Sequence, residues 1–169
     1  MTAAGAPVRM PAERLHEAAA VLGRAVVDDP LFTYLLPEAV PRTSCVPLLM
    51  EVFLRIGLAH GEVWVTPRTI RGVACWLSPA HPIITAADRD AAGWSGAMTA
   101  LGGETVDRFE AFFDDRGRAV ASLAQEPHWQ LAWLGVEPGC QGQGIGSTLV
   151  RQGTAHADAD GTACWLFTF

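Results

Sequence analysis

A strand-like run followed by a glycine loop and a helix constrains this chain more than any other stretch. Residues 129–147 read WQLAWLGVEPGCQGQGIGS. The first eight positions hold one strongly polar side chain, Gln130, which is typical of a strand covered on both faces. A proline-glycine turn ends this run, and Ile145 and Leu149 then begin an apolar face at helical spacing. The pattern predicts strand, loop and helix in direct succession.

The glycines of the loop alternate, at Gly142, Gly144 and Gly146. Glycine lets the backbone turn tightly and approach a ligand closely, and the first turn of a helix has N–H groups without intrahelical partners. These amides and the positive end of the helix dipole suit an anion, above all a phosphate. No Asp or Glu occurs between residues 138 and 157, in a chain of net charge −6. An ordinary tight turn is the alternative interpretation, but it needs a single glycine.

Two common phosphate-binding motifs do not match the sequence of this loop. A Walker loop requires Lys where Ile145 stands, and the dinucleotide fingerprint requires Gly where Ser147 stands. A dinucleotide fold also needs a second βαβ unit, whereas one more strand-like stretch follows the helix. A nicotinamide or nucleotide enzyme is therefore disfavoured.

Composition narrows the class of protein. The 169 residues are half apolar and show no linker or repeat, so residues 1–169 are expected to form one domain. The 12 Lys and Arg are unclustered, which argues against a nucleic-acid surface. Neither a membrane span nor a signal peptide is indicated, so a cytoplasmic location is expected. The four cysteines are far apart, with no nearby His at metal-ligand spacing, so no metal site is predicted.

Periodicity along the rest of the chain predicts an α/β (mixed α+β) fold in which an antiparallel meander leads into a βαβ unit. The predicted elements are helix 12–28, a helix opened by Pro41 and ended at Gly61, strands 62–66 and 70–77, two helices between 85 and 123 divided by Gly102-Gly103, strand 129–136, a helix from 145, and a last strand at 164–169.

The pattern Q-x-x-G-x-G, formed by Gln141, Gly144 and Gly146, resembles the acetyl-CoA loop of the GNAT N-acetyltransferase superfamily. Over nearly its whole length the chain looks like puromycin N-acetyltransferase and its bacterial relatives. The strings that carry the likeness are VFLRIGL at 52–58, GEVWV at 61–65, VACW at 73–76, PHW at 127–129 and LGV at 134–136. The resemblance implies a GNAT-like central mixed sheet flanked by helices and the use of acetyl-CoA as co-substrate.

The resemblance also implies which residues bind acetyl-CoA. The strand ending at Val136 would splay from the last strand, and backbone amides near Leu134 and Val136 would bond the pantetheine arm and polarise the thioester carbonyl. The glycine loop would hold the diphosphate. The predicted cofactor-binding residues are Leu134, Val136, Gln141, Gly142, Gln143, Gly144, Gly146 and Ser147.

The implied reaction is direct attack of a primary amine of a small molecule on acetyl-CoA, without a covalent enzyme intermediate. An aminonucleoside-type antibiotic is one such amine. Glu126 and His128 are candidates for the base, although a His beside a Trp in a loop is more often simply exposed. Tyr34, the only tyrosine, and Trp129 are candidates for the acceptor site, with ordinary packing as the alternative. The catalytic residues stay unassigned.

The end of the sequence differs from the family that the chain resembles. After the strand that matches residues 164–169, members of that family have a further helix and two further strands. That helix supplies the tyrosine assigned to thiolate protonation. A C-terminally incomplete sheet is therefore expected, and an acyl-CoA-binding protein without turnover is the alternative function. The apolar run WLFTF at 165–169 is expected to expose a strand edge and to favour self-association.

Overall fold

The computed structural model describes residues 5–36, 40–81, 83–99, 101, 103–123 and 126–167, without the Leu123 side chain. Five strands form one sheet in chain order, antiparallel up to the fourth strand and parallel between the last two. This confirms the predicted mixed α/β sheet flanked by helices. The strands are β1 (Val8–Arg9), β2 (Gly61–Val65), β3 (Gly72–Leu77), β4 (His128–Val136) and β5 (Ala163–Leu166).

Seven helices of the described residues surround this sheet. They are α1 (Leu15–Val26), α2 (Pro30–Leu35), α3 (Arg42–His60), α4 (Ala86–Ala91), α5 (Trp94–Thr99), α6 (Gly103–Leu123) and α7 (Ile145–Asp160), with short 3₁₀ turns at Ala12–Arg14 and Pro138–Cys140. The helix α3 is long and apolar enough to span a membrane by length and composition alone. Eight of its residues between Val46 and Gly57 are buried inside the protein, as in a core helix.

Two tight contacts place α3 and α7 on opposite faces of β3. A Cβ added to Gly57 of α3 would lie 2.3 Å from Cys75 Sγ, and one added to Gly153 of α7 would lie 2.2 Å from the Trp76 ring. Because neighbouring strand residues point to opposite faces, the two helices sandwich the sheet. Every residue of β3 is buried as a result.

The order of elements differs from the prediction in three places, the first of which is the short strand β1, which was not predicted and pairs with β2. Residues 30–35, assigned to no element from sequence, form α2, whose start is capped by the Asp29 carboxylate accepting from Leu31 N–H at 2.9 Å. The stretch from 85 to 123 holds three helices and not two, because Gly93, with a φ of 94°, separates α4 from α5. Gly102 lies outside the described residues, and α6 begins at Gly103.

Candidate active site

The strand β4 is paired with β5 along His128–Leu131 and with β3 from Gln130 to Val136, so its second half is paired on one edge only. Its pairing with β5 ends at Leu131 opposite Leu166, whereas its pairing with β3 continues to Val136. Trp133 faces Cys75 and Leu131 faces Trp76, so Ala132 is the extra residue of a β-bulge. Beyond the bulge, the outer edge of β4 has no strand partner among the described residues.

The alternation of hydrogen bonds decides which backbone groups face this open edge. Glu137 N–H donates to the Arg71 carbonyl at 2.8 Å, so residue 137 is bonded toward the β3 side. Successive residues of an antiparallel ladder alternate between bonding the partner and facing away. Leu134 and Val136 therefore turn their N–H and C=O groups to the open edge. The Gln141 side-chain amide, which donates to the Val136 carbonyl at 3.2 Å, agrees with this assignment.

The glycine loop carries the chain from β4 into α7. Gly142 and Gly144 have φ values of 73° and 78°, in the left-handed region that residues with a Cβ avoid. Gly144 precedes the first helical residue, and no side chain of the described residues caps this helix start. The first-turn amides are thus left for a ligand or water. A Cβ on Gly146 would lie 3.6 Å from Val136 Cγ2, so the helix start packs on the open half of β4.

The loop and the open edge line one cleft of about 530 Å³. Every predicted cofactor residue except Gln143 lines it, and no lining residue is acidic. The prediction from sequence missed Ala25, which reaches the cleft from α1, because that residue is far upstream and carries no motif. The predicted residues that meet in the cleft are Leu134, Val136, Gln141, Gly142, Gly144, Gly146 and Ser147.

An ion pair fixes the junction between β4 and the loop. The Arg24 guanidinium of α1 donates to both carboxylate oxygens of Glu137, from Nε at 2.8 Å and from Nη2 at 2.7 Å. These hydrogen bonds lower the pKa of Glu137 against the opposing effect of burial. The pair neutralises the one carboxylate next to the glycine loop and ties α1 to the start of that loop.

A second cavity, of about 290 Å³, adjoins the cleft and shares Leu134 with it. It lies where β4 and β5 separate, since Leu131 and Leu166, the last paired residues, both line it. Most of the wall is apolar or aromatic, and its polar side chains are Asp29, Arg116 and Gln130. Burial lowers the pKa of Arg116. The aromatic side chains of the wall are Phe53, Phe112, Phe113, Trp133 and Phe167.

The prediction from sequence missed most of this wall, because its residues come from elements that are distant along the chain. The one signal was the phenylalanine-containing stretch of α6, whose periodicity also fits ordinary core packing. Phe109 does pack in the core, at 1% exposure, whereas Phe112 and Phe113 border the cavity.

The structure places both predicted acceptor-site residues outside the cleft and the second cavity. Trp129 is 8% exposed, packs under α7 with Trp76 and Leu149, and donates its indole N–H to Asp160 Oδ2 at 2.9 Å. Tyr34 lies on α2 with 65% of its surface exposed, and its ring is 5.9 Å from the guanidinium carbon of Arg108. Neither side chain lines the cleft or the second cavity.

His128 is not the exposed loop residue expected from sequence. It begins β4 at 1% exposure, and its Nδ1 lies 2.7 Å from the Glu126 carbonyl. A carbonyl can only accept, so Nδ1 carries the hydrogen and Nε2 holds the lone pair. Nε2 is buried and has no hydrogen-bond partner among the described residues. This tautomer suits a base, but neither His128 nor Glu126 lines a cavity of the site.

Two solved structures share this fold. One, described as histone acetyltransferase HPA2 and related acetyltransferase, from Corynebacterium glutamicum, is 20% identical with a TM-score of 0.60 over 90% of this chain and 71% of that chain. The other, a provisionally assigned acetyltransferase from Pyrococcus horikoshii, is 16% identical with a TM-score of 0.56 over 97% of this chain and 80% of that chain.

Comparison with protein families matches residues 61–169, from the start of β2 through the glycine loop to the end of the sequence, to the Acetyltransferase (GNAT) family. This match covers more than half of the chain and all the predicted cofactor residues. The chain therefore belongs to the GNAT acetyltransferase family, whose acyl donor is acetyl-CoA.

Proposed function

We propose that this protein is an N-acetyltransferase that moves the acetyl group of acetyl-CoA to a primary amine of a small molecule. The observation that carries the proposal is the open half of β4, which runs from the glycine cleft to the apolar cavity and contributes Leu134 to both. Membership of the GNAT family supplies the acyl donor.

The residues of the cleft fit the parts of acetyl-CoA in order. The first-turn amides of α7, with Gly142 and Gly144, hold the diphosphate by backbone hydrogen bonds and the helix dipole. The outward N–H and C=O groups of Val136 and Leu134 bond the pantetheine arm as a neighbouring strand would. The N–H of Leu134 lies where the two cavities meet, so it is placed to polarise the thioester carbonyl.

The reaction needs no covalent bond to the protein. The amine lone pair attacks the thioester carbon, a C–N bond forms, the C–S bond breaks, the nitrogen loses a proton and the sulfur leaves as a thiolate that takes one up. The walls of the second cavity exclude water from the attack and hold the acceptor in place.

The lining of the second cavity suggests the class of acceptor. Aromatic walls with a few polar groups favour an amine that carries a ring or an aliphatic body. An aminonucleoside-type antibiotic is the specific candidate that the sequence resemblance adds, and a cytoplasmic location belongs to the same proposal.

Acetyl transfer to a panel of amines tests this function directly. We expect release of free thiol from acetyl-CoA with an aminonucleoside, an arylalkylamine or a diamine, and no release with the matching alcohols, with the acetylated product identified by mass spectrometry. CoA binding in calorimetry without thiol release from any amine would instead favour an acyl-CoA-binding protein.

Two variants test which substrate binds in the cleft and which binds in the second cavity. Gly146→Leu is expected to raise the KM for acetyl-CoA, because its side chain points toward Val136 and Leu134. Phe167→Ala is expected to raise the KM for the amine alone, because Phe167 lines the second cavity and not the cleft. Leu48→Ala, at a 49% exposed position on α3, is the control and should leave both constants unchanged.

A further inference from the structure

Two histidines and an aspartate form a cluster outside the cleft and the second cavity. His60 ends α3, His81 follows β3, and Asp88 lies in α4. His81 Nε2 is 2.9 Å from Asp88 Oδ2, and His60 Nε2 is 3.2 Å from Asp88 Oδ1. One ligand atom from each side chain lies within 4.8 Å of the other two. The side chains are 29%, 30% and 13% exposed, so the cluster is sheltered and still reachable from solvent.

The arrangement of the two rings distinguishes this cluster from other histidine-carboxylate contacts of the chain. The rings of His60 and His81 are stacked, with centroids 3.8 Å apart and an angle of 11° between their planes. Both turn Nε2 to the same carboxylate. His16 and His156, by contrast, each meet a glutamate that no second histidine of the described residues contacts.

The carboxylate is held in place by groups that are not part of the cluster. Thr85 donates to Asp88 Oδ2 from its backbone N–H at 2.7 Å and from its hydroxyl at 2.6 Å. The bond from the Thr85 backbone N–H is one half of the capping box at the start of α4, and the other half is Asp88 N–H donating to Thr85 Oγ1 at 3.2 Å. Outer hydrogen bonds of this kind orient a ligand before a metal ion arrives.

We propose that His60, His81 and Asp88 bind a divalent cation of the zinc class. Zinc binds imidazole nitrogen and carboxylate oxygen at about 2.0–2.2 Å, which places tetrahedral ligand atoms about 3.3–3.6 Å apart. His60 Nε2 lies 3.2 Å from Asp88 Oδ1 and His81 Nε2 lies 2.9 Å from Asp88 Oδ2, each within a few tenths of an ångström of that range. One ligand atom from each of the three side chains lies within 4.8 Å of the other two, so the cation draws the ligand atoms together. The cation replaces the two N–H···O contacts, each histidine binds it through the Nε2 lone pair of the neutral tautomer that carries its hydrogen on Nδ1, and water completes the coordination.

The position of the cluster indicates what the cation does. It joins the end of α3, the segment after β3 and the start of α4. Ile84, three residues after His81, lines the second cavity. Binding of the cation therefore fixes one wall of that cavity through the backbone on both sides of it. The sequence did not reveal the cluster, since its three residues do not have the spacing of a common metal motif.

Zinc titration of the tag-free, chelator-treated full chain tests the proposal. We expect one Zn²⁺ per chain, a higher melting temperature with Zn²⁺, and no comparable binding of Mg²⁺, which prefers oxygen ligands. His60→Gln and His81→Gln are each expected to weaken Zn²⁺ binding by at least about tenfold. His16→Gln and His156→Gln are the matched controls and should bind Zn²⁺ as the unmodified chain does.

Asp88→Asn also weakens the capping box, so the histidine variants decide the result. Zinc affinity that is the same in folded His81→Gln and in the unmodified chain would overturn the site. So would the absence of a bound Zn²⁺ at saturating metal. Neither outcome bears on acetyl-CoA binding, because the three ligands lie outside the acetyl-CoA cleft.

Discussion

The two halves of β4 contain similar residues but have different surroundings. The first half, His128–Leu131, is paired with β5 throughout and with β3 at Gln130 and Leu131, and its first three residues are buried. The second half, Ala132–Val136, is paired with β3 alone, and Leu134 is 36% exposed. The boundary between the two halves is marked by the extra residue at the bulge, Ala132, and by the end of the pairing with β5 at Leu131. The fold thus leaves backbone groups available where a bound ligand can act as the missing strand.

The largest expected effect is the loss of CoA binding in Gly144→Val. At a φ of 78° a β-branched residue is strained by about 1–3 kcal/mol, and a Cβ there meets no atom within 4 Å, so the methyl groups enter the cleft. Calorimetry should show no CoA binding while circular dichroism shows a folded protein. Gly139→Val is the matched control, since its Cβ also meets nothing within 4 Å and its φ is not positive. Unchanged CoA affinity in folded Gly144→Val would refute the diphosphate assignment.

Proline substitutions at Trp133 and Leu134 test the alternation that distinguishes the open edge. Trp133 bonds β3, so Trp133→Pro should destabilise the fold by about 3 kcal/mol more than Trp133→Ala. Leu134 faces the open edge, so Leu134→Pro should fold as Leu134→Ala does and bind acetyl-CoA up to about tenfold more weakly, because one N–H contact is lost. Urea unfolding and calorimetry measure the two quantities. Equal destabilisation at both positions would show that the assigned alternation is wrong.

Glu137→Gln tests the ion pair that joins α1 to the open half of β4. The pair is partly exposed, so we expect a loss of about 0.5–1 kcal/mol in unfolding free energy at pH 7. The pKa of Glu137 is lower in the folded chain, so its contribution is present above the unfolded value of about 4.3 and is lost as pH falls through the folded pKa. Urea unfolding at several pH values should show the difference from the unmodified chain shrinking below about pH 4. Glu104→Gln, which removes the exposed ion pair with Arg108, is the control for the loss of a surface ion pair elsewhere in the chain. A difference in unfolding free energy between Glu137→Gln and the unmodified chain that does not change with pH would contradict the ion-pair role of Glu137.

The smallest expected effect concerns the outer edge of β5, which has no strand partner among the described residues. Leu166 is 58% exposed and Cys164 is exposed, whereas Trp165 is partly buried. The sequence predicts strong self-association through the whole apolar run, and because Trp165 is partly buried we now expect a weaker association that depends on Leu166. Light scattering over a concentration series, under reducing conditions, should show a rising mass that Leu166→Lys removes and Leu48→Lys, at another exposed leucine, does not. A monomer mass throughout the series would contradict it.

The glycine loop could be predicted from sequence because its conformation depends on residues that are close together in the chain. Left-handed φ values at Gly142 and Gly144 and the helical spacing after them depend on the residues themselves. Nothing in the sequence marks Ala132 as the bulge, since register depends on β3 and β5, which are distant along the chain. The family resemblance, and not the residue pattern, suggested the backbone groups of Leu134 and Val136.

Side-chain placement was the part of the site that could not be predicted. Trp129 and Trp133 look equivalent in sequence, yet Trp129 packs under α7 and Trp133 lines the second cavity. Which face each one reaches follows from the bulge between them. His128 looked exposed because it precedes the strand-like run, but β4 begins one residue earlier and buries it.

Hydrogen exchange of the β4 amides, measured by NMR with and without acetyl-CoA, tests the central claim most directly. We predict that exchange at Leu134 and Val136 slows by about tenfold or more when acetyl-CoA is bound, because their N–H groups then gain partners. Trp133 and Gly135, already bonded to β3, should exchange slowly in both states. Unchanged exchange at Leu134 and Val136 in protein saturated with acetyl-CoA would contradict the claim that the open half of β4 binds acetyl-CoA.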